Sequence, residues 1–267
     1  MSLAAEAPAL ATIDGQAINL ATQDDLVARI SARAKSGQGF CLFTLNLDHL
    51  VKRRADPAFR AAYERASFVS ADGAPVVALA RRQGAQLTRT TGADLIEPLC
   101  AMAAREGLPL FFFGSSQDLL GAAAEELRRR FPGLLMAGCE APPFGFDPLS
   151  PAADAAADRM AASGARLCLI ALGAPKQELF ADRMLARHPG MGCLCIGAAL
   201  DFIAGGQKRA PMLAQGLGLE WVWRLATNPR RLSGRYARCA LLLADLGLLA
   251  PLRQRLAKSA LSSDGAT

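Results

Sequence analysis

Residues 167–178 read Leu167-Cys168-Leu169-Ile170-Ala171-Leu172-Gly173-Ala174-Pro175-Lys176-Gln177-Glu178, and helical spacing then continues to Arg187. An unbroken apolar run fits a strand buried on both faces, and the glycine turn into a polar first helical turn completes one strand–turn–helix unit. The unit recurs along the chain. Strands are expected at 40–44, 68–70, 109–113, 134–139 and 192–196, with helices at 48–54, 57–65, 75–82, 94–106, 119–130 and 151–162. Such alternation predicts an α/β fold, a Rossmann-like and mainly parallel sheet flanked by helices with right-handed crossovers.

Before the alternation starts, residues 11–20 carry Asp14-Gly15 at their centre and predict a small β-hairpin. Thr22 is placed to cap a helix to about residue 35, with Asp24 and Asp25 in its first turn, where the helix dipole favours them. After the last strand the catalytic core is expected to end near Phe202, giving a core over 1–204 and a helical, basic appendage over 205–267 that hinges at Gly205-Gly206. Within the appendage, helices are expected over 212–226 and 229–249, joined at Asn228-Pro229, since proline suits a first helical position.

At 267 residues, about half of them apolar, the chain can bury a substantial core without staples. The net charge of +6 is unevenly distributed. From Gly205 onward ten Lys or Arg face three acidic residues, so the first 204 residues are nearly neutral and the partner surface for anions lies in the appendage. Seven cysteines show no Cys-x-x-Cys spacing, and Cys168, Cys193 and Cys195 sit in apolar runs that predict buried thiols in a reducing cytosol. Residues 1–10 lack the pattern of a secretory signal. The longest apolar stretch, 239–252, is interrupted by Asp245 and is shorter than the roughly 20 residues that span a bilayer.

In an open parallel sheet, ligands bind beyond the carboxyl ends of the strands, and here the residues at those places are polar. Asp72, followed by Gly73, has two readings: a proton acceptor for an attacking hydroxyl, or a cap for the helix starting near Ala74. Gly114-Ser115-Ser116 has the outline of a phosphate-cradling turn but lacks a full glycine fingerprint, so a plain strand-to-helix turn fits equally. Lys176 and Gln177 offer a cation and an amide to a phosphate or sugar, or form a solvated first turn. His49 and His188 have no metal-ligand spacing and read as structural, and no Asp-x-Asp is present, so no metal and no cofactor is expected. Arg224, Arg230, Arg231, Arg235 and Arg238, with Trp221, Trp223 and Tyr236 among them, form a phosphate-gripping and interface-seeking segment. A basic helix packed on the core by its leucines is the simpler alternative.

These residues together resemble the WecG/TagA/CpsF family of bacterial glycosyltransferases over about residues 11–236. Its most specific marks are Gly-x-Pro-Lys-Gln-Glu at 173–178, Asp201-Phe202, Lys208-Arg209-Ala210-Pro211 and Gly218-Leu219-Glu220-Trp221 running into Arg224. The resemblance implies inverting, metal-independent transfer of a sugar from a UDP-sugar donor to a polyprenyl-diphosphate-linked saccharide. It makes Asp72 the general base and places Thr44, Asn46, Arg89 and Gln177 at the substrate. It assigns Asp201 to the uracil edge, and has Arg224, Arg231 and Arg235 close over the diphosphate. Implied further are a cytoplasmic protein held peripherally at the inner face of the cell membrane by its C-terminal segment, no nucleic-acid partner, and a possible homo-oligomer.

Two departures from the family pattern, Ala74-Pro75 after Asp72-Gly73 and Leu200 before Asp201, bear on the identity of the sugar, which is N-acetylmannosamine, its uronic acid or a hexose. A nucleotide-dependent oxidoreductase is disfavoured by the missing dinucleotide fingerprint. A non-enzymatic binder of nucleotide, RNA or anionic lipid stays as the competing class.

Overall fold

The computed structural model describes residues 8–206, 210–211 and 220–249, and the chain divides into two compact units, Met1–Arg209 and Ala210–Thr267. The first unit opens with a hairpin, β1 (Ala11–Ile13) and β2 (Gln16–Ile18), whose turn residues Asp14 and Gly15 have φ of 51° and 75°. Two consecutive left-handed residues make a turn that matches strand twist, which is why Asp-Gly serves there. Thr22 caps α1 (Gln23–Ser36), its hydroxyl accepting from the Asp25 amide at 3.2 Å.

Six parallel strands follow: β3 (Phe40–Leu45), β4 (Phe68–Ala71), β5 (Leu110–Gly114), β6 (Met136–Glu140), β7 (Leu167–Ala171) and β8 (Gly192–Cys195), in the spatial order β4-β3-β8-β7-β5-β6. Every residue of β3, β4, β5, β7 and β8 is buried, while the edge strand β6 is half-buried throughout, in keeping with its weaker Met-Ala-Gly-Cys-Glu sequence. On the opposite edge, β4, Asn19 pairs with Val69, its backbone N–H donating to Val69 O and its side chain accepting from the Val69 amide, which blunts the edge at that point. Cys41, Cys193 and Cys168 lie in register across the three central strands, and burial pushes the Cys41 and Cys168 thiols well up.

The crossover helices are α2 (Leu47–Ala55), α3 (Pro57–Arg65), α4 (Ala74–Arg82), α5 (Gly92–Glu106), α6 (Gln117–Arg130), α7 (Pro151–Ala162) and α8 (Lys176–Arg187), followed after β8 by a short α9 (Ala199–Ile203). Helices α2, α3, α8 and α7 pack in sequence as one layer, and α1, α5, α9 and α6 as another. Right-handed crossovers produce this sorting, because connections running in opposite directions along the sheet cross opposite faces. Between the layers, Phe113 stacks on Phe180 with ring centroids 4.7 Å apart, and Phe146 meets both edge-on. The helix α9 goes beyond what the sequence led us to expect; its Ala199 and Leu200 are buried.

The second unit contains α10 (Glu220–Thr227) and α11 (Pro229–Ala244), the latter running into a π-helical turn at Asp245–Leu249. The Trp221 and Tyr236 rings lie 5.8 Å apart, and Leu232, Cys239 and Leu242 are buried. The expected helix over 212–226 is seen from Glu220 onward. Residues 207–209 and 212–219, which carry Lys208, Arg209 and Gly218, lie outside the described residues. Among the described residues no helix is long and apolar enough to cross a membrane.

Candidate active site

The helices that follow β3 and β8, adjacent strands, belong to opposite layers, as do those that follow β5 and β7. Strand ends with diverging helices open a crevice at the carboxyl edge of the sheet, which is where ligands bind in this architecture.

At one corner of that edge stands Asp72. Its amide donates to Leu45 O at 2.8 Å, continuing the β3–β4 ladder, in which Thr44 faces Ser70. Its carboxylate Oδ2 faces Thr44 Oγ1 at 3.5 Å and Asn46 Nδ2 at 3.4 Å. Asn46 is held in place as the N-cap of α2, where its Oδ1 accepts from the His49 amide at 3.1 Å, and this turns Nδ2 toward Asp72. Thr44 is fixed from behind, since its carbonyl accepts from the buried Tyr63 hydroxyl at 3.0 Å and lies 2.6 Å from His49 Nδ1. Helix α4 is preceded by Gly73 at φ 96°, a conformation open to glycine, and this residue occupies its N-cap position.

Residues 89–91 are drawn against the end of β4, because the Thr90 amide donates to Ala71 O at 2.9 Å and Ser70 Oγ donates to Thr90 O at 3.1 Å. Arg89 in this segment lies 4.0 Å from Asp94 Oδ2, and Asp94 closes a capping box with Thr91 at the start of α5. Thr44, Asn46 and Asp72 are therefore in contact, with the segment bearing Arg89 beside them.

A second group forms where β5 ends. Gly114 has φ 121°, and a Cβ there would sit 2.4 Å from Ala171 O, so only glycine lets β5 and β7 end side by side. Ser115 is itself left-handed at φ 49°, and its hydroxyl donates to Asp201 Oδ1 at 2.5 Å, while Ser116 caps α6. The turn thus serves as a strand-to-helix junction that also holds Asp201. No sequence spacing signalled that link.

The third group lies at the ends of β7 and β8. Gln177 is buried, and its Oε1 accepts from the amides of both Gly173, at 3.2 Å, and Gly197, at 3.1 Å. Its Nε2 donates to Glu178 Oε1 at 2.8 Å. Glu178 is wholly buried, and desolvation pushes its carboxyl up to about 7. Lys176 Nζ donates to Phe146 O at 2.8 Å, tying the loop after β6 to this helix start. The first turn of α8 is therefore structured and largely buried, in place of the solvated turn weighed from sequence. Glu178 went unassigned there because a glutamate in a first helical turn ordinarily needs no explanation beyond the dipole.

On the second unit, Arg235 lies on α11, half-buried, and Arg230 and Arg238 are exposed. Arg224 and Arg231 lie on α10 and α11, and their side chains fall outside the described residues. Among the described residues no group of three or more His, Cys, Asp or Glu could hold a metal ion. His49 bonds within the Thr44–Tyr63 cluster and His188 lies 2.8 Å from Asp158.

The crevice thus sets a carboxylate oxygen among a hydroxyl, a side-chain amide and a nearby arginine segment, with an aspartate held by serine and an amide bracket further along the sheet. That equipment suits proton acceptance beside an anionic, polyhydroxylated ligand. A family model described as "Glycosyl transferase WecG/TagA/CpsF family" matches residues 11–259, nearly the whole chain. The chain accordingly belongs to the WecG/TagA/CpsF family of glycosyltransferases, which act in the synthesis of cell-surface polysaccharides.

Proposed function

We propose that this glycosyltransferase moves a sugar from a UDP-sugar to a polyprenyl-diphosphate-linked saccharide with inversion at the anomeric carbon. Asp72 takes the proton from the acceptor hydroxyl as its oxygen bonds to the anomeric carbon. The bond from that carbon to the diphosphate oxygen breaks with its electron pair, and UDP leaves. Direct displacement needs a base and no enzyme nucleophile. The reading is carried by one observation, the placement of the Asp72 carboxylate against the Thr44 hydroxyl and the Asn46 side-chain amide at the carboxyl end of β3.

Charge on the departing diphosphate is met by arginines, Arg89 of the core and Arg224, Arg231 and Arg235 of the basic appendage, in a chain with no Asp-x-Asp to clamp a divalent ion. Asp201 recognises the uracil edge and Gln177 supports the sugar-phosphate. The exposed Trp221 and Trp223 beside those arginines suit a peripheral contact with the cytoplasmic membrane face, where the lipid-linked acceptor resides.

The decisive experiment offers a panel of UDP-sugars and a short-chain lipid-diphosphate glycoside to the wild type and to Asp72→Asn. Turnover is expected to fall about 10³-fold in the variant, within the range for loss of a general base. UDP binding by calorimetry should stay within about three-fold, because the substitution is isosteric and removes no phosphate contact. A wild type that binds UDP and transfers nothing, with Asp72→Asn indistinguishable from it, would favour the non-enzymatic binder.

A further inference from the structure

The motif that opens α8 contains a carboxyl with no part in the reaction just described. Glu178 is wholly buried, its Oε1 accepts from Gln177 Nε2, and its Oε2 has no hydrogen-bond partner among the described residues. An unsatisfied buried oxygen is costly, and an apolar side chain of the same size would remove that cost. Its retention calls for a use, and its one side-chain neighbour in hydrogen-bond contact shows what that use is.

An amide side chain buried among amides can sit in two orientations that differ by a half-turn. In the one observed, Gln177 Oε1 receives the Gly173 and Gly197 amides together, one from the turn after β7 and one from the turn after β8. The reversed orientation would set Nε2 against two N–H donors, leaving three donors facing one another. The two glycine amides favour the observed orientation, and Glu178 reinforces it from the other end, because its Oε1 accepts from Nε2. Gly197 leads directly into α9, which carries Asp201. The bracket therefore fixes the start of the segment that presents Asp201 to the crevice.

We propose that Glu178 is a positioning residue for the transfer reaction: it anchors the Gln177 amide in its observed orientation, and through it locks the turns after β7 and β8. The catalytic half of this statement rests on the glycosyltransferase reading above. The structural half does not.

The two halves are separated by measuring amide hydrogen exchange and kinetics on the full chain with Glu178→Met and Glu178→Gln. Methionine fills the space but accepts nothing useful, so protection at Gly173 and Gly197 is expected to fall about ten-fold, the equivalent of one lost hydrogen bond. Amides within β7 and β8 should keep theirs. Glutamine restores an acceptor, so Glu178→Gln should recover most of the protection. With the UDP-sugar that the wild type turns over, Glu178→Met should raise the donor KM about ten-fold with kcat within about two-fold, and Glu178→Gln should recover the KM. Unchanged protection at both glycines in a folded Glu178→Met, or a Glu178→Gln as unprotected as the methionine variant, overturns the proposal. Should Glu178→Met fail to fold, the same readings on Glu178→Gln against Gln177→Leu decide it: glutamine protected and leucine unprotected supports the bracket, both alike refutes it. A wild type without UDP-sugar turnover defeats the functional reading alone, since the exchange result stands by itself.

Discussion

Asp72 and Glu178 are carboxylates at the same edge of one parallel sheet, one just beyond β4 and the other just beyond β7, and they live in opposite surroundings. Asp72 is half-buried, with a hydroxyl and an amide from the end of β3 turned toward it and an arginine segment nearby. Glu178 is sealed from solvent and is held up at about 7 by desolvation, against the opposing pull of the Gln177 side-chain amide and its own backbone N–H, with Lys52 and Asp48 of α2 acting on it in opposite directions. The contrast teaches that role follows environment more closely than residue type. A carboxylate that meets solvent is free to exchange protons, whereas one sealed from it keeps its proton to higher pH and is confined to the groups packed around it.

The sharpest way to break this contrast is to neutralise both groups in turn. Asp72→Asn should cost about 10³ in turnover while Glu178→Gln stays within about three-fold, read in the same transfer assay. Equal losses would erase the distinction between proton acceptor and organiser. The next effect lies in stability. Because the folded chain holds the Glu178 proton up to about pH 7, against an ordinary value of 4.5, the stability this group contributes is full below pH 4.5 and is lost as pH rises through 7. Glu178→Gln has no such loss, so its advantage over wild type should grow by of order 3 kcal/mol between pH 4.5 and 8 in urea titrations. A constant difference across that range would place the proton elsewhere.

Smaller effects test the Asp72 corner from its supports. Asn46→Ala removes a helix cap and a neighbour of the carboxylate at once, and should lower stability by about 1 kcal/mol by thermal melting. Turnover should fall about ten-fold in the same variant. Thr44→Val removes only a hydroxyl at 3.5 Å, a marginal distance, and a loss of about three-fold in kcat is expected. If Thr44→Val proves the more damaging of the two, the threonine hydroxyl itself contacts substrate.

Much of this architecture was legible in the residues alone. Runs such as residues 109–113 and 167–172 have no other comfortable home than a strand covered on both faces, and Thr22, Gly37, Asp14-Gly15 and Pro229 mark element boundaries by local chemistry. Element ends moved by a residue or two because caps such as Thr91 and Ser116, and not the apolar periodicity, decide where helices start. The Asp72 site was legible as a position but not as a geometry. Its carboxylate lies beside Thr44 and Asn46 because β3 pairs with β4, a neighbourhood that the linear order of residues does not display. Glu178 was illegible as a buried group because burial is a property of layers: α8 must first lie down on the sheet beside α3 and α7 before its first turn is enclosed. The Ser115 contact with Asp201 joins the β5–β6 crossover to the segment that follows β8, which only the strand order makes neighbours.

That strand order has an outcome for how the molecule is made. β3, the first strand of the sheet to be synthesised, lies beside β8, the last, at the middle of the array. Once β7 is made and before β8 is, the strands synthesised fall into two groups, β4 with β3 and β7 with β5 and β6, and the free margins of β3 and β7 await the same strand. Arrival of residues 192–195 zips the halves together in one late event. Such assembly is slow, since its defining contacts are far apart in the chain, and exposed to mispairing while it waits. A cell making this enzyme in quantity should therefore find its holding chaperones occupied with chains stalled just short of that strand.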